Sequence, residues 1–259
     1  MSQKSKRQNT ILTLLKNVPG MSIQHLAMET NSSEMTIRRD LKELQQKEYV
    51  SLIHGVAILG KNEDGSSIPK EYSLSNERSL MQDAKSRIGA LASSLLQPND
   101  SIIVDTGTTT EQIFTHLSES FPLTVMCYNM NILLASTSRE NTDIIFPGGF
   151  YHRNTQMFES PESSKLFSRI CVDKFFASAA GISQKGMVTC IEQHELSNKQ
   201  NAIGIADTRI LLADSSKFGK IRPCMFATID DFDLVITDSS ISEEWLELFE
   251  KKKIKYMLA

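Results

Sequence analysis

Six short apolar runs, at residues 102–104, 123–127, 144–146, 175–179, 210–213 and 234–237, constrain this chain more than any other feature. Each is followed by small or polar residues, and helical patterns at 109–117, 163–170 and 195–206 separate several of them. Buried runs alternating with helices predict an α/β domain built on a mainly parallel sheet covered on both faces. A further helix is expected over 80–96, ended by Pro98. In such a sheet, ligands bind beyond the carboxyl ends of the strands.

The residues just after those runs are therefore the candidate site. Asp105, Thr106, Gly107, Thr108, Thr109 and Thr110 follow the first run and lead into an expected helix. Backbone N–H groups at a helix start, joined by threonine hydroxyls, suit a phosphate; the plainer reading is a helix cap and turn. The stretch is neither a Walker A sequence nor a G-x-G-x-x-G fingerprint, so nucleotide binding is not expected. Tyr128, Asn129 and Asn131 follow the second run, and Gly148 and Gly149 the third. Lys185, Glu192 and Glu195 come later, then Lys217 within the segment 214–219. Gathered at one sheet edge, they would make a polar pocket for a small phosphorylated polyol or sugar.

The amino-terminal segment has a different character. Residues 33–44, S-E-M-T-I-R-R-D-L-K-E-L, divide on a helical projection into two faces. Ile37, Leu41 and Leu44 share one, while Met35, Arg38, Arg39 and Lys42 share the other, with Asp40 and Glu43 on a flank. Residues 6–18 read as a preceding helix stopped at Pro19-Gly20, and Ser22 caps a second short helix carrying Ile23, Leu26 and Ala27. A polar turn at 30–32 leads to the basic helix, which Ser33 caps. Three helices in this order form a helix-turn-helix, and the β-branched run 49–59 reads as a hairpin wing beside it. Arg38, Arg39 and Lys42 are candidates for phosphates or guanine edges, Met35 and Thr36 for a thymine methyl, and His54 in the wing for a backbone phosphate. Residues 1–60 carry eight Lys/Arg against five Asp/Glu, whereas the remainder carries twenty against twenty-six. Only the first segment is charged to meet a polyanion.

With 259 residues there is room for a small domain and a larger one with its own core. The polar stretch 61–79 reads as a linker, which sets the expected boundaries at 1–60 for the winged helix-turn-helix and 80–259 for the larger α/β domain. There is no apolar run of eighteen or more and no leader-like start, so a cytoplasmic location away from membranes is expected. Cys127, Cys171, Cys190 and Cys224 are widely spaced and read as reduced thiols. No His or Cys pair has metal-ligand spacing, and neither a metal nor a cofactor is expected.

Taken in order, S-E-M-T-I-R-R-D-L, D-T-G-T-T-T, P-G-G, S-A-A-G-I, D-S-S-K-F-G-K and D-L-V-I-T-D make the chain resemble the DeoR family of bacterial transcription regulators over nearly its whole length. The resemblance implies a winged helix-turn-helix that binds double-stranded operator DNA. It also implies a sensor domain related in fold to ribose-5-phosphate isomerase, and a hold on DNA altered by a phosphorylated sugar such as deoxyribose 5-phosphate. Carried over by position, Asp105, Gly107, Thr108, Thr109 and Thr110 match the family's phosphate-side loop, Gly148 and Gly149 its P-G-G loop, and Lys217 its D-x-S-K lysine. The family's T-N pair meets Tyr128-Asn129 here, and its second wing glycine meets Val56.

Two other classes of function compete with a regulator. A sugar-phosphate isomerase or deaminase-like enzyme needs a carboxylate base within reach of the substrate carbon, yet no carboxylate lies between Asp143 and Glu159, leaving Glu192, Asp214 or Asp238 to serve. A winged helix that only binds protein would lack the salt dependence of phosphate contacts. The expectation is a repressor that acts as a dimer or higher homo-oligomer on paired half-sites, since one winged helix covers little DNA.

Overall fold

A computed structural model describes residues 3–17, 21–46, 49–53, 56–59, 73–167 and 169–259. The chain divides into two compact units, Met1–Glu71 and Tyr72–Ala259. Among the described residues no helix is long and apolar enough to cross a membrane.

The first unit runs α1 (Gln3–Asn17), β1 (Met21–Ser22), α2 (Ile23–Glu29), α3 (Glu34–Gln46), β2 (Val50–Ile53) and β3 (Val56–Leu59). Ser22 caps α2 by accepting from the His25 amide at 3.1 Å, and Ser33 accepts from the Thr36 amide at 3.2 Å at the start of α3. The expected hairpin is present, with Val50 opposite Leu59 and Ile53 opposite Val56, and β1 adds a third strand to its edge through Met21 and Ala57. Ile11, Leu15, Ile23, Leu26, Ile37, Leu41 and Leu44 form one core beneath this sheet and the three helices. His54 lies outside the described residues.

The second unit begins earlier than the sequence reading had it. Residues 73–79, read as the end of a linker, carry the short helix α4 (Leu74–Arg78), and Leu74 is buried at 2 % exposure. Then follow α5 (Gln82–Ser93), β4 (Ser101–Val104), α6 (Gln112–Thr115), β5 (Leu123–Cys127), α7 (Met130–Thr137), β6 (Thr142–Ile145), β7 (Phe150–His152), β8 (Met157–Glu159) and α8 (Pro161–Phe167). The chain continues through β9 (Val172–Ser178), β10 (Gly181–Ile182), β11 (Met187–Cys190), α9 (Leu196–Ile205), β12 (Ala206–Leu212), β13 (Cys224–Thr228), β14 (Leu234–Thr237), α10 (Glu243–Lys252) and β15 (Tyr256–Leu258).

Seven of these strands form one sheet in the order β15-β14-β12-β9-β4-β5-β6, parallel throughout. The six predicted runs supply six of them; β15, whose Y-M-L is too short and too polar in its flanks to announce itself, supplies the seventh. Alternation decides which face each side chain takes. Ile103, Phe175, Ala177 and Leu211 pack with Phe167, Ala202, Trp245 and Phe249 on one face. Ile102, Val104, Phe176, Ile210 and Leu212 pack with Ile88, Ala92, Ile113 and Ile132 on the other. Trp245 and Phe249 of α10 are therefore core residues.

The strand order reverses between β4 and β9. From β4 the chain adds β5 and β6 outward on one side, then returns to place β9 against the other side of β4. That reversal opens a crevice beyond the carboxyl ends of the two central strands. A small antiparallel sheet, β10-β11-β13, and the hairpin β7-β8 complete the unit; neither follows from the apolar runs.

Candidate functional site

On the first unit, packing separates the two faces of α3. Ile37 and Leu41 are fully buried, while Met35 (75 % exposed), Arg38, Arg39 and Lys42 face solvent. The acidic flank does not cancel this charge, because α1 engages it. Asp40, buried, pairs with Arg7 and raises that guanidinium's pKa through their hydrogen bond, and Glu43 takes Lys4 at 2.6 Å and Gln8 at 3.2 Å. Arg38 has only a loose contact with Glu34, at 3.8 Å, and is 59 % exposed. Thr36 bonds its hydroxyl to that of Ser33 at 2.8 Å, so the two hydroxyls serve the helix cap. Met28, 80 % exposed at the end of α2, stands beside a shallow hollow lined by Gln24, Asn31 and Ser33. Sequence reasoning passed over it because a lone methionine on a short helix carries no signal.

On the second unit, a cleft lies at the topological switch point. Thr106, Gly107, Thr108 and Thr109 follow β4, Ser178 ends β9, and Ala179 and Ala180 follow it. Glu195 and Lys199 enter from α9 and its preceding turn, Glu77 and Leu74 from α4, and Lys217 and Arg222 from the segment between β12 and β13. Gly107 sits so close to Ser178 that a Cβ would come within 2.9 Å of that side chain, so only glycine lets the two strand ends close the crevice floor. The amides of Gly107, Thr108, Thr109 and Thr110 have no hydrogen-bond acceptor among the described residues. The expected helix at 109–117 shrinks to the four residues of α6, and turns carry 108–111, since Glu111 and Gln112 bond back to Gly107 and Thr109. Any anion held here is held by turn amides and hydroxyls, not by a helix end.

Several nominated residues serve the scaffold instead. Asp105 is fully buried and accepts from Tyr128 Oη at 2.6 Å, from the Thr106 amide at 2.8 Å, and from Ser178 N and Oγ at 2.8 and 3.0 Å, besides the Lys199 ammonium. Its lone pairs are consumed, and it stands under the cleft rather than in its wall. Tyr128 is fully buried, and its pKa is raised by that burial and by Asp105. Asn129 caps α7 by accepting from Ile132 N at 3.1 Å. Asn131 donates to Gly107 O and Glu111, which braces the loop from behind. Thr110 also turns inward, onto Asp105 O at 2.9 Å. Gly149 has φ +126°, and a Cβ there would come within 2.3 Å of Glu159 O. Gly149 thus answers to the approach of β8, Gly148 holds φ +69° with open space around it, and both lie outside the cleft wall. Lys185 is exposed in the β10–β11 turn, and Glu192 accepts from Asn154 at 2.8 Å. Of the nominated set, Thr106, Gly107, Thr108, Thr109, Glu195 and Lys217 line the cleft together.

Sequence reasoning missed Glu77, Ser178, Lys199 and Arg222. Lys199 is 1 % exposed and reaches Asp105, with Glu195 Oε2 at 3.7 Å. Burial alone would lower its pKa, but the carboxylates of Asp105 and Glu195 hold it raised, so the ammonium is charged. Burial pushes Glu195 up, against Lys199, while its Oε1 accepts from Ile191 N and Glu192 N at 3.2 and 3.0 Å. The Glu195–Lys199 spacing of four on one helix was the one legible sign. Among the described residues no three His, Cys, Asp or Glu side chains could hold a metal ion.

Comparison with known proteins decides the family. Residues 7–63 match the DeoR-like helix-turn-helix domain, and residues 80–239 match the DeoR C terminal sensor domain. The chain belongs to the DeoR family.

This DeoR-family transcriptional regulator is 30% identical to the deoxyribose operon repressor of Escherichia coli over 256 residues, covering 99% of each chain. It is 27% identical over 240 residues to the HTH-type transcriptional regulator IolR of Bacillus subtilis, covering 92% of this chain and 93% of that one. Among solved structures, ribose 5-phosphate isomerase A of Methanocaldococcus jannaschii aligns with a TM-score of 0.40 at 15% identity, covering 54% of this chain and 56% of that one. The probable sor operon regulator of Shigella flexneri aligns with a TM-score of 0.42 at 12% identity, covering 79% and 97%.

Proposed function

We propose that this DeoR-family regulator is a cytoplasmic repressor whose grip on operator DNA is changed when a phosphorylated sugar, deoxyribose 5-phosphate first among them, enters the cleft of the second unit. The observation that carries the reading is the chemistry of the cleft wall. Turn amides and hydroxyls of Thr108 and Thr109 stand with two cations, Lys217 and Arg222, at the crevice where β4 and β9 part. A phosphoryl group needs such donors and positive charge, and the polar groups of Thr106, Ser178 and Glu195 suit sugar hydroxyls. The first unit supplies the DNA contact: Arg38, Arg39 and Lys42 offer charge for phosphates or guanine edges, and Met35 with Thr36 an apolar edge for a thymine methyl. A homo-oligomer on paired half-sites provides enough interface for specific binding.

The test is a mobility-shift titration of the chain on its own promoter fragment, with and without a panel of sugar phosphates, paired with thermal-shift measurements. Deoxyribose 5-phosphate should raise the melting temperature and change the DNA midpoint, whereas unphosphorylated deoxyribose should do neither. A panel without effect in both measurements would overturn the effector reading.

A further inference from the structure

The cleft already contains an anion supplied by the chain itself. Glu77, on α4, places Oε2 2.7 Å from Lys217 Nζ across 140 residues of sequence, and both side chains line the cleft wall at 27 % and 16 % exposure. Burial by itself would raise the pKa of Glu77, but Lys217, Lys85 and Arg222 draw it below the ordinary carboxylate value. Of these cations, Lys217 is the one in contact with the carboxylate. Arg222 makes no ion pair among the described residues, and Lys85, 2 % exposed, spends its ammonium on Glu77's main-chain oxygen at 2.5 Å. The helix that carries Glu77 is five residues long, too short to persist in water without tertiary contacts. Besides Lys217 and Lys85 it is held by Arg78, which forks onto Glu111 at 3.0 and 2.8 Å, and by Leu74, whose amide donates to Asn154 O at 2.8 Å. Glu111 in turn belongs to the threonine turn, where Asn131 also holds it.

We propose that Glu77 occupies the anion subsite of the cleft as an internal competitor, and that a bound phosphoryl group takes Lys217 from it, engages Arg222 as well, and frees α4. This rests on the reading of the cleft as a phosphosugar site and adds how occupancy leaves it. A dianion on Lys217 and the Glu77 carboxylate cannot share one ammonium at hydrogen-bond distance without strong like-charge repulsion. Displacing Glu77 removes the longest-range tie on α4, and the chain on its amino side, residues 60–72, is the stretch that follows the winged helix. A ligand shifts such an equilibrium only by its different affinity for the two states, and here the difference is the competing carboxylate.

Glu77→Gln keeps the size of the side chain and removes its charge. In the full-length chain, calorimetric titration with deoxyribose 5-phosphate should show at least about five-fold tighter binding than the wild type, because the competent state no longer has to be won from the ion pair. Its ligand-free affinity for promoter DNA should move in the direction in which deoxyribose 5-phosphate moves the wild type. Hydrogen exchange on the wild type gives an independent reading if the variant fails to fold: the amides of residues 74–78 should lose protection on adding the sugar phosphate. If the wild type binds deoxyribose 5-phosphate but Glu77→Gln binds no tighter, or α4 gains protection, the competitor is refuted and the phosphosugar reading stands. If the wild type binds neither a sugar phosphate nor inorganic phosphate, both fall. A Glu77 that only stabilises the fold would lower the melting temperature and leave ligand affinity unchanged, which also refutes the competitor.

Discussion

Asp105 and Lys199, ninety-four residues apart in sequence, form a buried ion pair at the floor of the cleft, Asp105 beneath it and Lys199 in its lining, with side chains 0 % and 1 % exposed. Tyr128 and Ser178 complete the acceptor's shell, so one carboxylate ties the ends of β4, β5 and β9 to α9. The residue that opens the family's D-T-G-T-T-T motif thereby fixes the loop's position from below, and the threonines that follow it meet the cleft.

Removing one partner of that pair should cost far more than removing both. Asp105→Asn leaves a charged ammonium buried with only the more distant Glu195 at 3.7 Å, and a loss of about 3–5 kcal/mol is expected. Asp105→Asn combined with Lys199→Met should recover part of it. Urea denaturation of the three variants checks the order; a single variant as stable as the wild type would contradict the buried pairing.

Arg39→Ala should weaken the complex with promoter DNA by at least several-fold, as loss of a good base or phosphate contact worth about 1–3 kcal/mol would. Met35→Ala should weaken it less. Both chains should keep the wild-type melting temperature, since these side chains face solvent. An unchanged mobility-shift midpoint for Arg39→Ala would remove that residue from the interface.

His194 sets an acid limit on the second unit. Burial, then the neighbouring His152 stacked on it at 3.6 Å, lowers its pKa from 6.5 to about 4. The folded chain therefore binds fewer protons at this ring than the unfolded chain does. The stabilising contribution is complete above pH 6.5 and is lost as pH falls from there towards about 4. Urea midpoints should decline over that window for the wild type and decline less for His194→Gln. Parallel pH profiles for the two would argue against the depressed ring.

Incubation with deoxyribose 5-phosphate in heavy water should give no deuterium uptake at carbon 2. Glu195 is the carboxylate nearest the role of a base, yet its Oε1 already accepts two backbone amides and its Oε2 faces Lys199 at 3.7 Å. General-base catalysis needs a carboxylate free to reach the proton. Rapid exchange, abolished by Glu195→Gln, would make the chain an isomerase-like enzyme.

Residue periodicity alone carried the two folds: the 3.6-residue stripe of Ile37, Leu41 and Leu44, and the apolar runs that became six of seven parallel strands. These are local patterns, written into neighbouring residues, and burial of one face follows from them wherever the chain folds. The strand termini also brought Gly107, Thr108, Thr109 and Lys217 to one crevice. What only the tertiary structure decided is which polar side chains face that crevice and which lie beneath it. Asp105, Tyr128 and Asn129 are spent on holding strands together, while Lys199, Arg222 and Glu77 arrive from elements far away in sequence. The physical reason is that a buried charge or hydroxyl must find its partner wherever the packing places one. Sequence spacing carries no record of pairs such as Glu77 with Lys217, which exist because α4 is laid across the end of the sheet.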